Sequence, residues 1–286
     1  MLGAGFGAGF VMTAVGAGSL VSFPILLGVG IPPLVANVCN NVGLVPGGVS
    51  GSFGYRRELA GHRGLVLRVA ATSAMGALVG AVLLLALPST SFDRAVPFLV
   101  LTAATLVGLQ PLVSRGLRQR AARRGEVAAV RETMGPRLTA LSSLVGVYGG
   151  YFGAAQGVLL LAFLALRLDI GLQTVNGLKN VAVLSANVAA TAVFVFFAPL
   201  DWAVVGLVAV GSLVGGWLGA RLGRRLPPSV FVFFAPLDWA VVGLIAAGSL
   251  VGGWLGARLG RRLPPTVFRT LIVVFGWVVG LRLLLT

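Results

Sequence analysis

Residues 171–197 read GLQTVNGLKNVAVLSANVAATAVFVFF, an apolar run long enough to cross a bilayer that nevertheless carries Lys179, the chain's only lysine. If a helix starts near Gly171, the ammonium lies roughly 12 Å along it. A cation at that depth is costly and marks a functional-site candidate whose partner has to be found. Its polar neighbours, Asn176 and Asn180, are uncharged, and the stretch holds no carboxylate. A cation with no protein counter-ion is a seat for an anionic ligand. The alternative is that the lysine snorkels, or bonds the carbonyls of a neighbouring broken helix.

The rest of the chain has the same character. Mean hydropathy is +0.99, 57% of residues are hydrophobic and 10% are charged, which excludes an ordinary soluble domain. Apolar runs are continuous rather than alternating, so the expected fold is an all-α, polytopic transmembrane bundle and not a β-barrel. The net charge of +15 comes from arginines flanking apolar spans, which reads as membrane anchoring and topology rather than nucleic-acid binding. A single cysteine, Cys39, excludes an internal disulfide. His62 stands beside Arg63 with no metal-ligand spacing, and the seven acidic residues lie near span ends or in loops. No enzyme site, metal or cofactor is therefore expected. The opening MLGAGFGAGF lacks a basic n-region and reads as the start of the first span.

Spans are expected at about 2–29 (broken near Gly16–Ser19), 34–55, 64–87, 92–113, 138–166 (broken near Gly149–Gly153), 171–197, 202–222 and 267–285. Residues 114–137 carry seven arginines against two glutamates and form the one polar linker, placed in the cytoplasm by the positive-inside rule. The organisation is thus a first half (1–113), a basic loop (114–137) and a second half (138–286).

Two repeats run through it. At an offset of 139, Asn37 falls on Asn176, Asn41 on Asn180, Gly18 on Gly157 and Ala17 on Gln156. Each half would then be a four-span unit, with a Gly-broken first span followed by a span bearing paired asparagines. The second repeat is nearly literal: 193–228 returns as 230–265, with only Val208→Ile245 and Val210→Ala247 changed. Only nine residues separate Pro228 from Asp238, about 14 Å of helix, so the copies cannot both cross in the same sense.

Several motifs in order carry a family likeness: Gly16 to Pro24, Tyr55-Arg56-Arg57, Gly149-Gly150-Tyr151-Phe152-Gly153, Asn176-Gly177-Leu178-Lys179-Asn180, Asp201-Trp202, Gly215-Gly216-Trp217-Leu218-Gly219-Ala220-Arg221 and the closing Leu-Pro-Pro. The chain resembles the TauE/SafE sulfite exporter family over nearly its whole length apart from the extra copy. The resemblance implies about eight spans in two related halves and movement of sulfur-containing anions or organosulfonates. The chain departs from the pattern in its duplicated seventh span, and in Ala17 and Ser19, where glycines are usual.

The candidate substrate site is Lys179, Asn176, Asn180, Asn37, Asn41, Gln156, Gly16, Gly18, Gly153 and Gly157. Glycine breaks free backbone N–H groups and aim half-helix N-termini at an anion, although small residues also serve close packing. The asparagines are alternatively interhelical glue, and Gly211, Gly215 and Gly219 read as packing. Lys179 is expected to face the interior beside the second-half break. The resulting reading is a multi-pass secondary transporter or exporter of small sulfur-containing anions in the cell (inner or plasma) membrane. Its partners are the lipid bilayer and the anion, and oligomeric state is left open. A channel-like or structural membrane protein, or a transporter of another solute class, are the alternatives.

Overall fold

A computed structural model describes residues 1–123, 134–168 and 170–225. They form ten helices: α1 (Leu2–Ala14), α2 (Ser19–Gly28), α3 (Pro33–Gly43), α4 (Val45–Gly54), α5 (Arg63–Ala86), α6 (Ser89–Arg123), α7 (Pro136–Tyr151), α8 (Gln156–Arg167), α9 (Leu172–Phe197) and α10 (Trp202–Arg225). The expected all-α polytopic bundle is what forms. α5, the apolar part of α6, α9 and α10 are each long and apolar enough to cross a membrane. α6 continues to Arg123, so the basic segment begins as helix. The second copy, 230–265, and the last expected span lie outside the described residues.

These helices hold small residues inward and large ones outward. On α5, Ser73, Gly76, Ala77, Gly80 and Ala81 are buried, while Leu67, Met75, Val79 and Val82 are exposed to where lipid would lie. Lipid tails supply no hydrophobic drive between helices, so close backbone approach does the packing. A Cβ on Gly76 would meet Ser143 O and Val147 N, and one on Gly215 would meet Phe6 O and Phe10 N. Gly211 and Gly219 press on α1 in the same way, as their spacing implied.

The pairings also fix direction. Gly5 and Gly9 of α1 meet Val208 and Ser212 of α10, and Gly43 and Gly47 meet the same two residues. Rising numbers pair with rising numbers, so α1 and the α3–α4 pair run in one sense. The chain must therefore reverse through α2, and Gly18 indeed lies against Ala8 O and Met12 Cβ. α7 runs parallel to α5, through Gly76 on Val147 and Gly80 on Tyr151. α9 runs against α4, through Gly48 on Leu184 and Gly177 on Tyr55 and Leu59. α5 returns after the turn at 55–62, in the same sense as α9 and α7, so α8 reverses as well. The Gly-broken segments are thus two re-entrant hairpins entering from opposite faces. Their arms, 13 and 10 residues in the first and 16 and 12 in the second, are about 15–24 Å long and short of a 30 Å core.

Element boundaries repeat at the offset that aligns the asparagines. α3 and α9 begin at 33 and 172, while α5 and α10 begin at 63 and 202 and end at 86 and 225. The two positive-φ tip residues Gly16 and Ala155 also differ by 139.

The inner span of the first half, expected to be continuous, bends at Leu44. Pro46 lacks an N–H and its ring crowds the preceding turn. Ser212 of α10 is wedged into the gap: its Oγ accepts Gly47 N–H at 3.1 Å and donates to Gly43 O at 2.7 Å, replacing one rung of the helix ladder. Ser212→Ala would leave both groups unpaired in a buried position at a cost of about 1–3 kcal/mol. The variant is expected to insert but to show a lower thermal unfolding midpoint in detergent. An unchanged midpoint would show that the bend closes without the hydroxyl.

Candidate functional site at the meeting of two hairpin tips

The chain breaks where its sequence allows a left-handed residue. In the first hairpin Gly16 adopts φ +95, and in the second Gly153 adopts φ +76 and Ala155 φ +58. Ala155 carries a Cβ into that region, which glycine enters at lower cost. Gly149 and Gly150 remain inside α7, and the second break falls at 152–155, around Gly153. The tips touch: Gly157 N–H donates to Gly16 O at 3.0 Å, and a Cβ on Gly16 would stand 2.6 Å from Gly157 C. Phe152 packs edge-on to Phe23 at 5.2 Å and fixes the second tip against α2.

Each first arm ends in carbonyls with no helical partner, and each is capped from the opposite half. Lys179, fully buried, donates from Nζ to Thr13 O at 2.9 Å and to Met12 O at 3.4 Å. Asn37 Nδ2 donates to Tyr151 O at 2.9 Å. Met12 and Tyr151 are themselves 139 apart. Lys179 thus faces the interior, but beside the first-half break and not the second. The reason is the antiparallel course of α9 along α4, which brings its first turns under the end of α1. An ammonium at a helix C-terminus is favoured by the unpaired carbonyls and the macrodipole. It carries three donors, of which two are used here.

Several buried polar atoms have no hydrogen-bond partner among the described residues. Gln156, 1% exposed at the start of α8, has neither amide atom bonded and lies against Gly149. Asn180 Nδ2, Asn41 Oδ1, Asn176 Oδ1 and Thr13 Oγ1 are likewise buried and unpartnered. The other end of Asn176 donates from Nδ2 to Tyr55 Oη at 2.7 Å. Gly18 lies in the first tip and packs on α1. The structure therefore brings Lys179 to the first tip, Asn37 to the second and Gln156, Gly16 and Gly157 to the meeting point, while Asn176 reaches instead toward Tyr55 at the end of the α4 span.

Sequence reasoning passed over Tyr55, Thr13 and Ser22 as site groups, and weighed Asn40 beside Asn37 and Asn41 only as a pseudo-symmetric partner or interhelical glue. Ser22 Oγ donates to Asn40 Oδ1, joining α2 to α3. Thr13 and Ser22 were visible as polar residues in an apolar run. Nothing in the sequence signalled the left-handed Ala155.

Re-entrant hairpins that meet inside a bundle of spanning helices define a multi-pass membrane protein, in contact with the lipid bilayer, of the discontinuous-helix kind found in transporters. The chain belongs to the sulfite exporter TauE/SafE family, which matches residues 1–235 and again 229–283, the two matches overlapping at the seam between the near-identical copies. It is 31% identical over 222 residues to a probable membrane transporter protein, ORF9, of Sinorhizobium sp, covering 76% of this chain and 80% of that one. It is 26% identical over 224 residues to a probable membrane transporter protein of Haemophilus influenzae, covering 76% and 82%. Against the probable membrane transporter protein YfcA of Escherichia coli K12 it is 29% identical over 223 residues, covering 77% and 76%. No solved structure matches.

Proposed function

We propose that the protein is a secondary transporter or facilitated exporter that moves a small sulfur-containing anion across the cell's inner or plasma membrane. The observation that carries this reading is the buried Gln156, whose two amide atoms have no partner among the described residues and which precedes Gly157 where the tips touch, while the buried cation Lys179 caps the first tip. Buried polar groups without partners cost stability, and a ligand that pairs with them removes the cost. The family's description as sulfite exporters supports sulfite as the solute, and the relatives, probable membrane transporter proteins, support transport alone. The repeated boundaries and opposed hairpins support two inverted halves with the solute between them. The seven arginines of 114–137 support a cytoplasmic side for that linker.

The test is sulfite flux in proteoliposomes with Gln156→Leu as the diagnostic variant. Leucine fills a similar volume and removes two unpaired amide atoms, so folding holds or improves. Flux is expected to fall about ten-fold or more, the scale of a lost buried hydrogen bond of about 1.5 kcal/mol. Undiminished flux with Gln156→Leu would remove the tips from the path. A second reading, in which these groups only join helices, draws on the two bonds of Lys179 to α1.

A further inference from the structure

The position that matches Lys179 at the 139-residue offset is Asn40. One half thus presents an ammonium and the other a neutral amide, held by Ser22 Oγ on α2. Asn40 is buried at 2% exposure, three residues along α3 from Asn37, so the two share a face. Among the described residues, α1–α5 and α7–α10 contain no Asp or Glu to offset Lys179. Glu58, in the turn beside Leu59 that abuts Gly177, is the carboxylate nearest in sequence to those contacts, and it makes no ion pair among the described residues.

The hairpin tips add no net charge of their own. Each tip joins one helix C-terminus to one helix N-terminus, so the partial charges of about −0.5 and +0.5 cancel in pairs. What remains is the single positive charge of Lys179. An anion of one charge neutralises it. A dianion would leave one negative charge uncompensated in a low-dielectric interior, where an unpaired charge is costly. The unpaired amide atoms of Gln156 and Asn180 can bond oxygens without adding charge.

We infer that the tip site selects monoanions, such as hydrogen sulfite or a sulfonate, over dianions, and that the neutral Asn40, at the position matching Lys179, sets this selectivity. The inference rests on the transport reading above. It is tested with fluorosulfate and sulfate, two tetrahedral anions of one shape and different charge, as competitors of sulfite flux in proteoliposomes of the full chain. Fluorosulfate is expected to compete at least ten-fold better. Equal or stronger competition by sulfate, or competition by neither, overturns the inference and leaves the transport reading standing. No sulfite flux at all overturns the transport reading itself. Asn40→Lys adds the second cation and is expected to shift the ratio ten-fold or more toward sulfate. An unchanged ratio in folded Asn40→Lys removes Asn40 from the assignment. The wild-type comparison decides the charge rule even if that variant fails to insert.

Discussion

Lys179→Met is expected to lower sulfite flux about 100-fold or more, while Lys179→Gln separates the two roles that the geometry gives this residue. Methionine removes the charge and leaves Thr13 O and Met12 O without their donor. Losing one member of a buried charged pairing costs about 2–5 kcal/mol, which is about 30-fold to several thousand-fold in affinity. Glutamine keeps an N–H donor on a shorter side chain and discards only the charge. If the ammonium binds the solute, Lys179→Gln should insert with a thermal midpoint above that of Lys179→Met yet carry as little flux. If it is a helix cap alone, the glutamine variant should transport almost normally, and that result would end the anion-site reading. Arginine is no conservative control, because a planar guanidinium does not fit the room of a compact ammonium.

Gly157→Ala is the second large expectation. A Cβ there would lie 2.5 Å from Gly16 Cα and 2.8 Å from Gly16 O, and both are backbone atoms that cannot swing aside. The tips must part, breaking the Gly157 N–H to Gly16 O bond. Gly16→Ala meets the same wall and in addition forces an L-residue to φ +95, a further cost of about 1–2 kcal/mol. Both variants should lose at least ten-fold in flux and unfold at lower temperature. Gly28→Ala is the matched control, since nothing stands within 4 Å of its Cβ. Wild-type flux from Gly157→Ala would show that the contact between tips is dispensable.

The spanning helices were legible because hydropathy and length are local properties. α9 was expected at 171–197 and forms at Leu172–Phe197, and α10 begins at Trp202 as read. The inward set of Lys179 followed from the energetic cost of the alternatives. The reversal of each hairpin was not legible. A Gly-rich apolar run of nearly thirty residues has the same composition whether it crosses or turns back, and the evidence for turning lies in contacts of Gly5, Gly9, Gly43 and Gly47 with Val208 and Ser212 on a helix far along the chain. The bend at Leu44 was not read, although Pro46 stands beside it, and the hydroxyl that completes it belongs to Ser212, whose own neighbourhood reads as packing. The partner of Lys179 escaped for the same reason. A cation can be placed inside by cost alone, whereas choosing between two broken helices needs the direction of α9.

The crossed capping of the hairpins sets an order of events during synthesis. α1 leaves the ribosome first, yet its carbonyl end waits for Lys179 and its glycine face waits for Val208 and Ser212. With elongation at about 5–20 residues per second, that interval is roughly 10–40 s. For that time a 13-residue apolar arm, too short to span, has α2 and α4 of its own half beside it but not α10, the helix its glycines press on. It must rest at the membrane surface or against the insertion machinery until the second half arrives. The first half is therefore not an independently folding unit, and expression of residues 1–113 alone would leave the α1–α2 arm undocked.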